Sequence, residues 1–423
     1  MSMFKTLKGF QDLLPSEAIY WEWIESVAKS TLNSYGFSPI RTPILEPHDL
    51  FTQSIGTTTD IIEKEMYTFA DMDKRNISLR PEGTASVVRA YLEHPVLSQQ
   101  PYAKLYYIGP MFRHERPQAG RLRQFHQIGA EIIGEISPQR DVEILSLLVH
   151  LFQEWKIADL TLEINSLGCP ICRPPYRQKL IDHLSHAVNT FCEDCLRRLN
   201  TNPLRILDCK REGCRIVTHN APASIDHLCT ECHTHFKEVE DGLQQLAISY
   251  AINRHLVRGI DYYTKTAFEM TTTNLGAQNA VAAGGRYDRL IKMLGGPDTP
   301  AIGFAVGIER VVQLIAPDAV QETPVTVFMV PLGNAAYQLL APALYTLRKK
   351  KIKSEIGDRN KNLKNQLKLS DRMNAQHVVI VGDEEIKEGN AIFRNMATHH
   401  QEKIPLAHLV ENLIKEINPI PPF

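Results

Sequence analysis

The sequence predicts an α+β protein. It has a mixed, mainly antiparallel-sheet domain interrupted by a Cys-rich insertion, followed by a small α/β domain. Three observations lead there. Two long strand patterns, "AKLYYIGPMFR" and "QFHQIGAEIIG", flank the polar, Gly/Pro-punctuated connection "HERPQAGRLR". All eight cysteines fall between Cys169 and Cys232. From Thr323 onward short apolar strands alternate with amphipathic helices, which suggests a separate α/β unit.

In chain order, "IYWEWIESVAKSTLNSYGF" has helical spacing and stops at Gly36. Pro39, Pro43 and Pro47 then suit an edge strand or a fixed extended segment. "TASVVRAYLEH" reads as a helix ending before Pro95, "RDVEILSLLVHLFQEW" as an amphipathic helix and "DLTLEINSLG" as a strand. Strand and glycine-rich turn patterns return in "LVRGIDYYTKTAFEM" and "NAVAAGGRYDRLIKML". "AIGFAVGIERVVQLI" reads as a strand entering a helix, and "APDAVQETP" as the linker. The expected organisation is a first domain in two parts, 1–168 and 242–318, an insertion at 169–241 and a C-terminal domain at 323–423.

The 423 residues suffice for two or three domains with real cores, and the formal net charge of −1 gives no global field for nucleic acid. Any such surface must be a local patch. No apolar run is long enough to span a bilayer, and the N-terminal stretch lacks a secretory signal pattern, so a cytoplasmic protein is expected.

Side chains alternate across a strand. Arg123, Phe125, Gln127, Gly129 and Glu131 therefore share one face, with Tyr107, Gly109, Met111 and Arg113 on the facing strand. This face carries cations, an aromatic, an amide and an acid, with glycines expected to leave room. A buried polar face needs partners, so it reads as a pocket floor rather than core. Guanidinium groups match phosphate in a bidentate fork, Phe125 offers a flat surface for a base, and Gln127 and Glu131 can hydrogen-bond a small polar ligand. The plainer alternative is a solvated hairpin with incidental arginines.

Cys169/Cys172, Cys192/Cys195 and Cys229/Cys232 are three C-x-x-C pairs, and Cys209 and Cys214 make a looser fourth. In a cytoplasmic protein they suggest thiolate metal ligands, enough for two tetrahedral Zn²⁺ sites. If the helices following Cys172 and Cys229 run antiparallel, Cys192 and Cys195 share a metal with Cys229 and Cys232. Cys169, Cys172, Cys209 and Cys214 then form the other site. Sequential pairing is the rival, and His219, His227, His233 and His235 are substitute ligands.

Across nearly its whole length the chain resembles the class II histidyl-tRNA synthetases. "YGFSPIRTPILEP", with Pro43, is similar to the dimer-forming first class II motif, "FRHERPQAGRLRQFHQIGAE" to the second and "AIGFAVGIERV" to the third. "RPEGTA", "LVRGIDYYT" and "AAGGRYDRL" resemble the histidine-specific signatures. Two departures are Phe10, where Thr is usual, and Lys265, where Gly is usual. The resemblance implies activation of L-histidine by ATP with Mg²⁺, then transfer to tRNA(His), by a homodimer with an anticodon-binding C-terminal domain. It implies that Arg113 and Arg310 bind the ATP phosphates, with Arg121 and Arg123 assisting, and that Glu115 and Phe125 hold adenine. Glu82, Thr84 and Gln127 are implied around the α-amino group, and Glu131 and Tyr263 at the imidazole. Tyr262 and Tyr287 line the same pocket, and Arg258 contacts the carboxylate and α-phosphate. Arg116 and Gln118 at the loop tip are implied to reach the tRNA acceptor end. The alternative is a non-catalytic paralogue that senses histidine and regulates a partner enzyme.

Overall fold

The computed structural model describes residues 4–57, 59–118, 120–276, 279–316, 319–320 and 324–417. Met1–Met3 of the N-terminal stretch and most of the expected linker lie outside these residues. The chain divides into two units, 1–320 and 321–423.

The larger unit contains eleven strands among the described residues. They are β1 (Ser38–Pro39), β2 (Leu45–Pro47), β3 (Thr68–Ala70), β4 (Asn76–Leu79), β5 (Ala103–Phe112), β6 (Gln124–Ile133), β7 (Leu160–Ser166), β8 (Ala251–Ile252), β9 (Thr264–Thr272), β10 (Ala280–Arg286) and β11 (Ala301–Gly307). Eight form one sheet in the order β1-β5-β6-β11-β10-β9-β7-β8, and β2-β4-β3 form a second. Only the outer pairs β1–β5 and β7–β8 are parallel. The proline-rich segment lies where prolines do least harm. Pro39 ends the two-residue edge strand β1, and Pro47 ends β2.

Residue alternation gives the large sheet two different faces. Tyr106, Ile128, Ala130, Ile132, Ile302, Phe304 and Val306 point into the main core. The helices Pro15–Ser34 and Pro138–Glu154 cover that side, contributing Ile24, Leu32, Leu148 and Leu151. The first helix begins at Pro15, four residues before the apolar periodicity does, because proline suits a first turn. The other face carries the polar row described below.

Helix Thr230–Gln245 does not return alongside helix Arg173–Ser185, as expected from the sequence. Its Phe236, Val239 and Leu243 sit in the main core, and Gly242 lies against Val142 of helix Pro138–Glu154. The insertion's smaller core instead gathers Tyr176, Leu180, Leu184, Phe191 and Ile206.

A buried ion network joins these layers. Arg286 at the end of β10 donates from Nε to both oxygens of Asp141, at 2.9 Å each. Both side chains are fully buried. His235 of helix Thr230–Gln245 meets the same carboxylate at 3.0 Å, and Arg286 also bonds Asp288 and the carbonyls of Glu135 and Ser137.

Among its described residues the smaller unit has five strands, β12 (Val327–Pro331), β13 (Ser354–Ile356), β14 (His377–Val381), β15 (Asn390–Asn395) and β16 (Gln401–Pro405), in the order β13-β12-β14-β15-β16. The first three are parallel and the rest antiparallel. Val327 and Met329 pack beneath helices Asn334–Lys349 and Leu409–Glu416. Phe328 and Val330 point to the opposite side, where Leu367 of helix Leu363–Arg372 packs. Covering both faces is what a central parallel strand requires.

Removing one partner of a buried ion pair leaves the other charge uncompensated, at a cost of about 3–5 kcal/mol. Asp141→Ala is therefore expected to destabilise the larger unit by about that amount. All three tryptophans, Trp21, Trp23 and Trp155, lie in this unit, so denaturant unfolding followed by their fluorescence reads it directly. An unchanged midpoint would remove the network from the account of stability.

Candidate active site

The polar face of the sheet is assembled by register. Glu131 on β6 pairs with Leu105 on one side and Gly303 on the other. Gly303 pairs with Gly285, and Gly285 with Ala267. The next row runs Tyr107, Gly129, Ala305, Ala283, Glu269. Small residues on β10 and β11 thus keep the middle of the sheet low, and a cavity of about 260 Å³ stands over it.

The hairpin glycines do not leave empty room. A Cβ at Gly129 would lie 2.2 Å from the Tyr107 ring, and one at Gly109 would lie 2.6 Å from the Arg80 guanidinium. The space is filled from within the same hairpin and by the residue before Pro81. Gly303 serves differently, since a Cβ there would collide with the Glu131 carboxylate.

Glu131 is 1 % exposed. It accepts from the Thr84 hydroxyl at 2.8 Å and from the Tyr287 hydroxyl at 2.6 Å. Burial pushes its carboxyl up to about 8, against the two hydrogen bonds that favour the anion. Glu82 caps helix Thr84–Glu93, accepting from the backbone N–H of Thr84 (2.6 Å) and of Ala85 (2.9 Å). Burial also raises its carboxyl. Burial raises Tyr107, Tyr262 and Tyr287 well above the ordinary phenol range, so all three are neutral hydroxyls. The Tyr107 hydroxyl, Gln127 Oε1 and Arg258 Nε are buried without a protein partner. Such groups point to a polar ligand.

The loop between Leu256 and Tyr263 closes one side. The rings of Tyr262 and Tyr263 lie 4.7 Å apart, and Tyr262 meets Tyr287 edge-on at 5.6 Å. The Arg258 guanidinium sits 5.4 Å from the Tyr263 ring centre and pairs with Glu269.

Cations gather at the other end. Arg113 stacks over Phe125 at 5.2 Å and donates to the Pro81 carbonyl. Arg121 pairs with Glu115, which also lies 3.8 Å from Arg113. Arg310 donates to the Ala280 carbonyl. Burial, and then the nearby Arg121 charge, lower the Arg310 guanidinium. Arg113, Arg121 and Arg310 converge here around Glu115, an arrangement suited to a polyanion.

Arg123, expected on this face, is not in the cavity. The strand begins only at Gln124, and the Arg123 stem lies against Gly9, whose carbonyl accepts from its backbone N–H at 2.8 Å. Arg116 and Gln118 are exposed on the connection and do not line the cavity. Tyr107 lines the cavity as its strand face predicts, whereas Glu269, which also lines it, was not singled out from the sequence. Strand parity places Glu269 two residues from Ala267 on the cavity face, so the signal was present.

The cysteines form two groups, in each of which all sulfurs lie within 4.8 Å of one another. One is Cys169, Cys172, Cys229 and Cys232, and the other is Cys192, Cys195, Cys209 and Cys214. Neither the expected pairing nor the sequential one occurs. Helix Thr230–Gln245 starts beside the end of β7, which brings Cys229 to Cys169. No histidine joins either group among the described residues. Sulfur separations of 3.6 and 3.9 Å are found in the first group and 3.9 Å in the second. A tetrahedral site with metal–sulfur bonds near 2.3 Å has edges of about 3.8 Å. Backbone N–H groups of Cys229 and Cys192 point at the sulfurs of Cys172 (3.0 Å) and Cys214 (3.3 Å). Lys265 adopts φ +46°, the left-handed region that glycine prefers, and its ammonium pairs with Glu231 at 2.9 Å. Phe10 packs edge-on against Tyr67.

A carboxyl with a raised native pKa binds a proton that the unfolded chain has already lost. Between the ordinary carboxyl range and about pH 8, Glu131 therefore makes the fold less stable as pH rises. Glu131→Gln removes this contribution. The wild type is expected to lose stability relative to the variant between pH 6 and pH 8 in paired denaturant titrations. A difference independent of pH would contradict the protonated state.

The chain is similar to known proteins along nearly all of its length. The histidyl-tRNA synthetase family matches residues 9–311, and the anticodon binding domain family matches residues 326–416. A curated histidine–tRNA ligase of Syntrophotalea carbinolica is 48% identical over 410 residues, covering 97% of this chain and 98% of that protein. One from Geobacter sulfurreducens is 49% identical over 404 residues, covering 96% and 98%. The crystal structure of apo S. aureus histidyl-tRNA synthetase superposes with a TM-score of 0.82 at 36% identity, covering 97% of this chain and 100% of that one. This chain belongs to the histidyl-tRNA synthetase family.

Proposed function

We propose that the cavity activates L-histidine with ATP to histidyl-adenylate and that the enzyme then passes histidine to the 3′ end of tRNA(His). The observation that carries this reading is a single cavity with two chemistries. One end holds a buried carboxyl, phenols and an unpaired amide, and the other holds converging arginines.

The amino acid fits the first end. Neutral imidazole has one donor and one acceptor. Glu131, set between Thr84 and Tyr287, and Tyr263 address the ring nitrogens. Gln127 and Glu82 address the α-amino group, with Thr84 beside them, while Tyr262 packs on the ring. ATP enters as its magnesium complex at the second end. Arg113 and Arg310 bind its phosphates, Arg121 assists, and Phe125 stacks on adenine beside Glu115. Arg258 stands between the two ends.

Attack of the histidine carboxylate on the α-phosphate brings two anions together and expels pyrophosphate. Fixed cations offset that repulsion and stabilise the charge that builds on the phosphoryl oxygens. Arg258 is held by Glu269 and by the Tyr263 ring, so it is positioned before substrate arrives. Transfer follows at the same place, the tRNA 3′ hydroxyl attacking the adenylate carbonyl and releasing AMP. Arg116 and Gln118 lie exposed on the hairpin connection, where an acceptor end can reach them. The lysine-rich segments "LRKKKIKSE" and "NKNLKNQLK" give the smaller unit a basic character suited to an anticodon.

The two cysteine groups fit structural Zn²⁺, each as four thiolates. Ile44, Leu45 and Phe69, exposed on and beside the three-stranded sheet, support a homodimer through the first-motif segment. A cytoplasmic site of action suits reduced thiolates. The non-catalytic histidine sensor is the weaker reading, because the phosphate-binding arginines and the anticodon-binding domain are both present.

Arg258→Ala is expected to fold and still bind histidine in calorimetry, while histidine-dependent ATP–pyrophosphate exchange falls by about 10²–10³-fold. Near-normal exchange in this variant would remove the role.

A further inference from the structure

The loop that carries Arg258, Tyr262 and Tyr263 is held on its outer side by residues of the Cys-rich insertion. Arg173, which directly follows Cys172, donates to the Tyr263 carbonyl. Asn202 and Arg205 lie between Cys195 and Cys209. Asn202 Nδ2 donates to Asp261 Oδ1 at 2.7 Å. The Arg205 guanidinium lies where a Cβ at Gly259 would be 3.3 Å away. Asp261 is also tied to the sheet domain, since its backbone N–H donates to the Ile55 carbonyl at 3.2 Å and its carboxylate fills the space above Gly56. A second set of contacts anchors the insertion itself. Arg198 donates to Asp60 at 2.7 Å, and Arg197 meets Glu63 at 3.2 Å. On the inner side the loop's Arg258, Tyr262 and Tyr263 line the cavity. Among the described residues, the side chains that hold its outer side come mainly from the segment enclosed by Cys192–Cys214 and from the residue after Cys172.

We propose that the Cys-rich insertion is a brace for the histidine-binding loop and that Asn202 is its positioning residue. Asn202 touches no substrate. It fixes Asp261, and Asp261 sets the backbone that aims Tyr262 and Tyr263 one and two residues later. The segment carrying Asn202 is short, and the cysteine group that flanks it on both sides, Cys192 and Cys195 before and Cys209 and Cys214 after, keeps it in place. Through Tyr262 and Tyr263, the residues next to Asp261, the brace therefore acts first on the amino acid end of the cavity. Arg113, Arg121 and Arg310 come from other elements. The proposal rests on the assignment of this loop to histidine binding.

The test is steady-state ATP–pyrophosphate exchange with the full chain, together with histidine binding by calorimetry. Losing one positioning hydrogen bond corresponds to roughly a tenfold change. Asn202→Ala is expected to raise the histidine KM and Kd about tenfold, leaving the ATP KM within about twofold. Asn202→Asp sets two carboxylates together and is expected to be worse. Adding Asp261→Asn restores a donor–acceptor pair with the roles exchanged, and the double variant is expected to recover most of the histidine affinity. Unchanged histidine constants in Asn202→Ala would overturn the brace. So would equal rises in both KM values, or failure of the exchanged pair to recover, since those mark a general packing role. A wild-type chain without histidine-dependent exchange overturns the loop assignment itself, whereas exchange with an unaffected Asn202→Ala overturns the brace alone.

Discussion

A carboxyl group sealed inside a sheet domain must find donors or hold its proton, and Glu131 does some of each. Its place sets conditions on three other elements. Gly303 on the neighbouring strand has to lack a side chain, because a Cβ would occupy the carboxylate's position. Thr84 has to stand at the start of a helix whose end is aimed at the sheet, and Tyr287 has to follow β10 in a turn that returns its hydroxyl. The helix start is fixed in turn by Glu82, and the turn by the Arg286–Asp141 pair immediately before it. Much of the end of the cavity proposed for the amino acid is thus the set of parts needed to bury one acid.

The end proposed for the phosphates follows a different logic. Its arginines stand close enough to disfavour one another's charge, as Arg121 and Arg113 do to Arg310. Glu115 is shared between Arg121 and Arg113, and Arg310, which hydrogen-bonds the Ala280 carbonyl, feels the same carboxylate and that of Glu269. Cations held near one another repel, and a bound anion relieves that repulsion. Arg258 joins the two ends. It carries its own counter-charge in Glu269, which keeps it in place without consuming its Nε.

Much of this was legible in the sequence because strands obey a simple parity. The hairpin from Ala103 to Gly134 was readable as two strands with a polar face, and Phe125, Gln127 and Glu131 share that face. Parity failed at Arg123, which precedes the strand and answers to Gly9, a contact over a hundred residues distant that no local pattern reports. The glycines were misread for a similar reason. Gly129 looks like open space in sequence, and only the fold shows the Tyr107 ring lying on it. Cysteine spacing announced two four-sulfur groups, but their membership depended on where helix Thr230–Gln245 begins. That is decided by its burial against helix Pro138–Glu154, a tertiary preference that overrode the expected antiparallel pair. The α/β character of the smaller unit was visible in its alternating strands and helices, since covering a parallel sheet on both faces leaves near-continuous apolar strands such as "VTVFMVPL" and "HVVIVGD".

As proposed, the cavity recognises imidazole through paired buried groups and uses the same enclosure to join carboxylate to phosphate. The most direct measurement is ATP–pyrophosphate exchange with histidine and with an amino acid of similar ring size that lacks the ring nitrogens. A site built to hydrogen-bond its substrate rejects an analogue without those groups by about 10⁴–10⁵-fold. Exchange that requires histidine and falls by that order with the analogue is the predicted result. Comparable exchange with both would contradict the account.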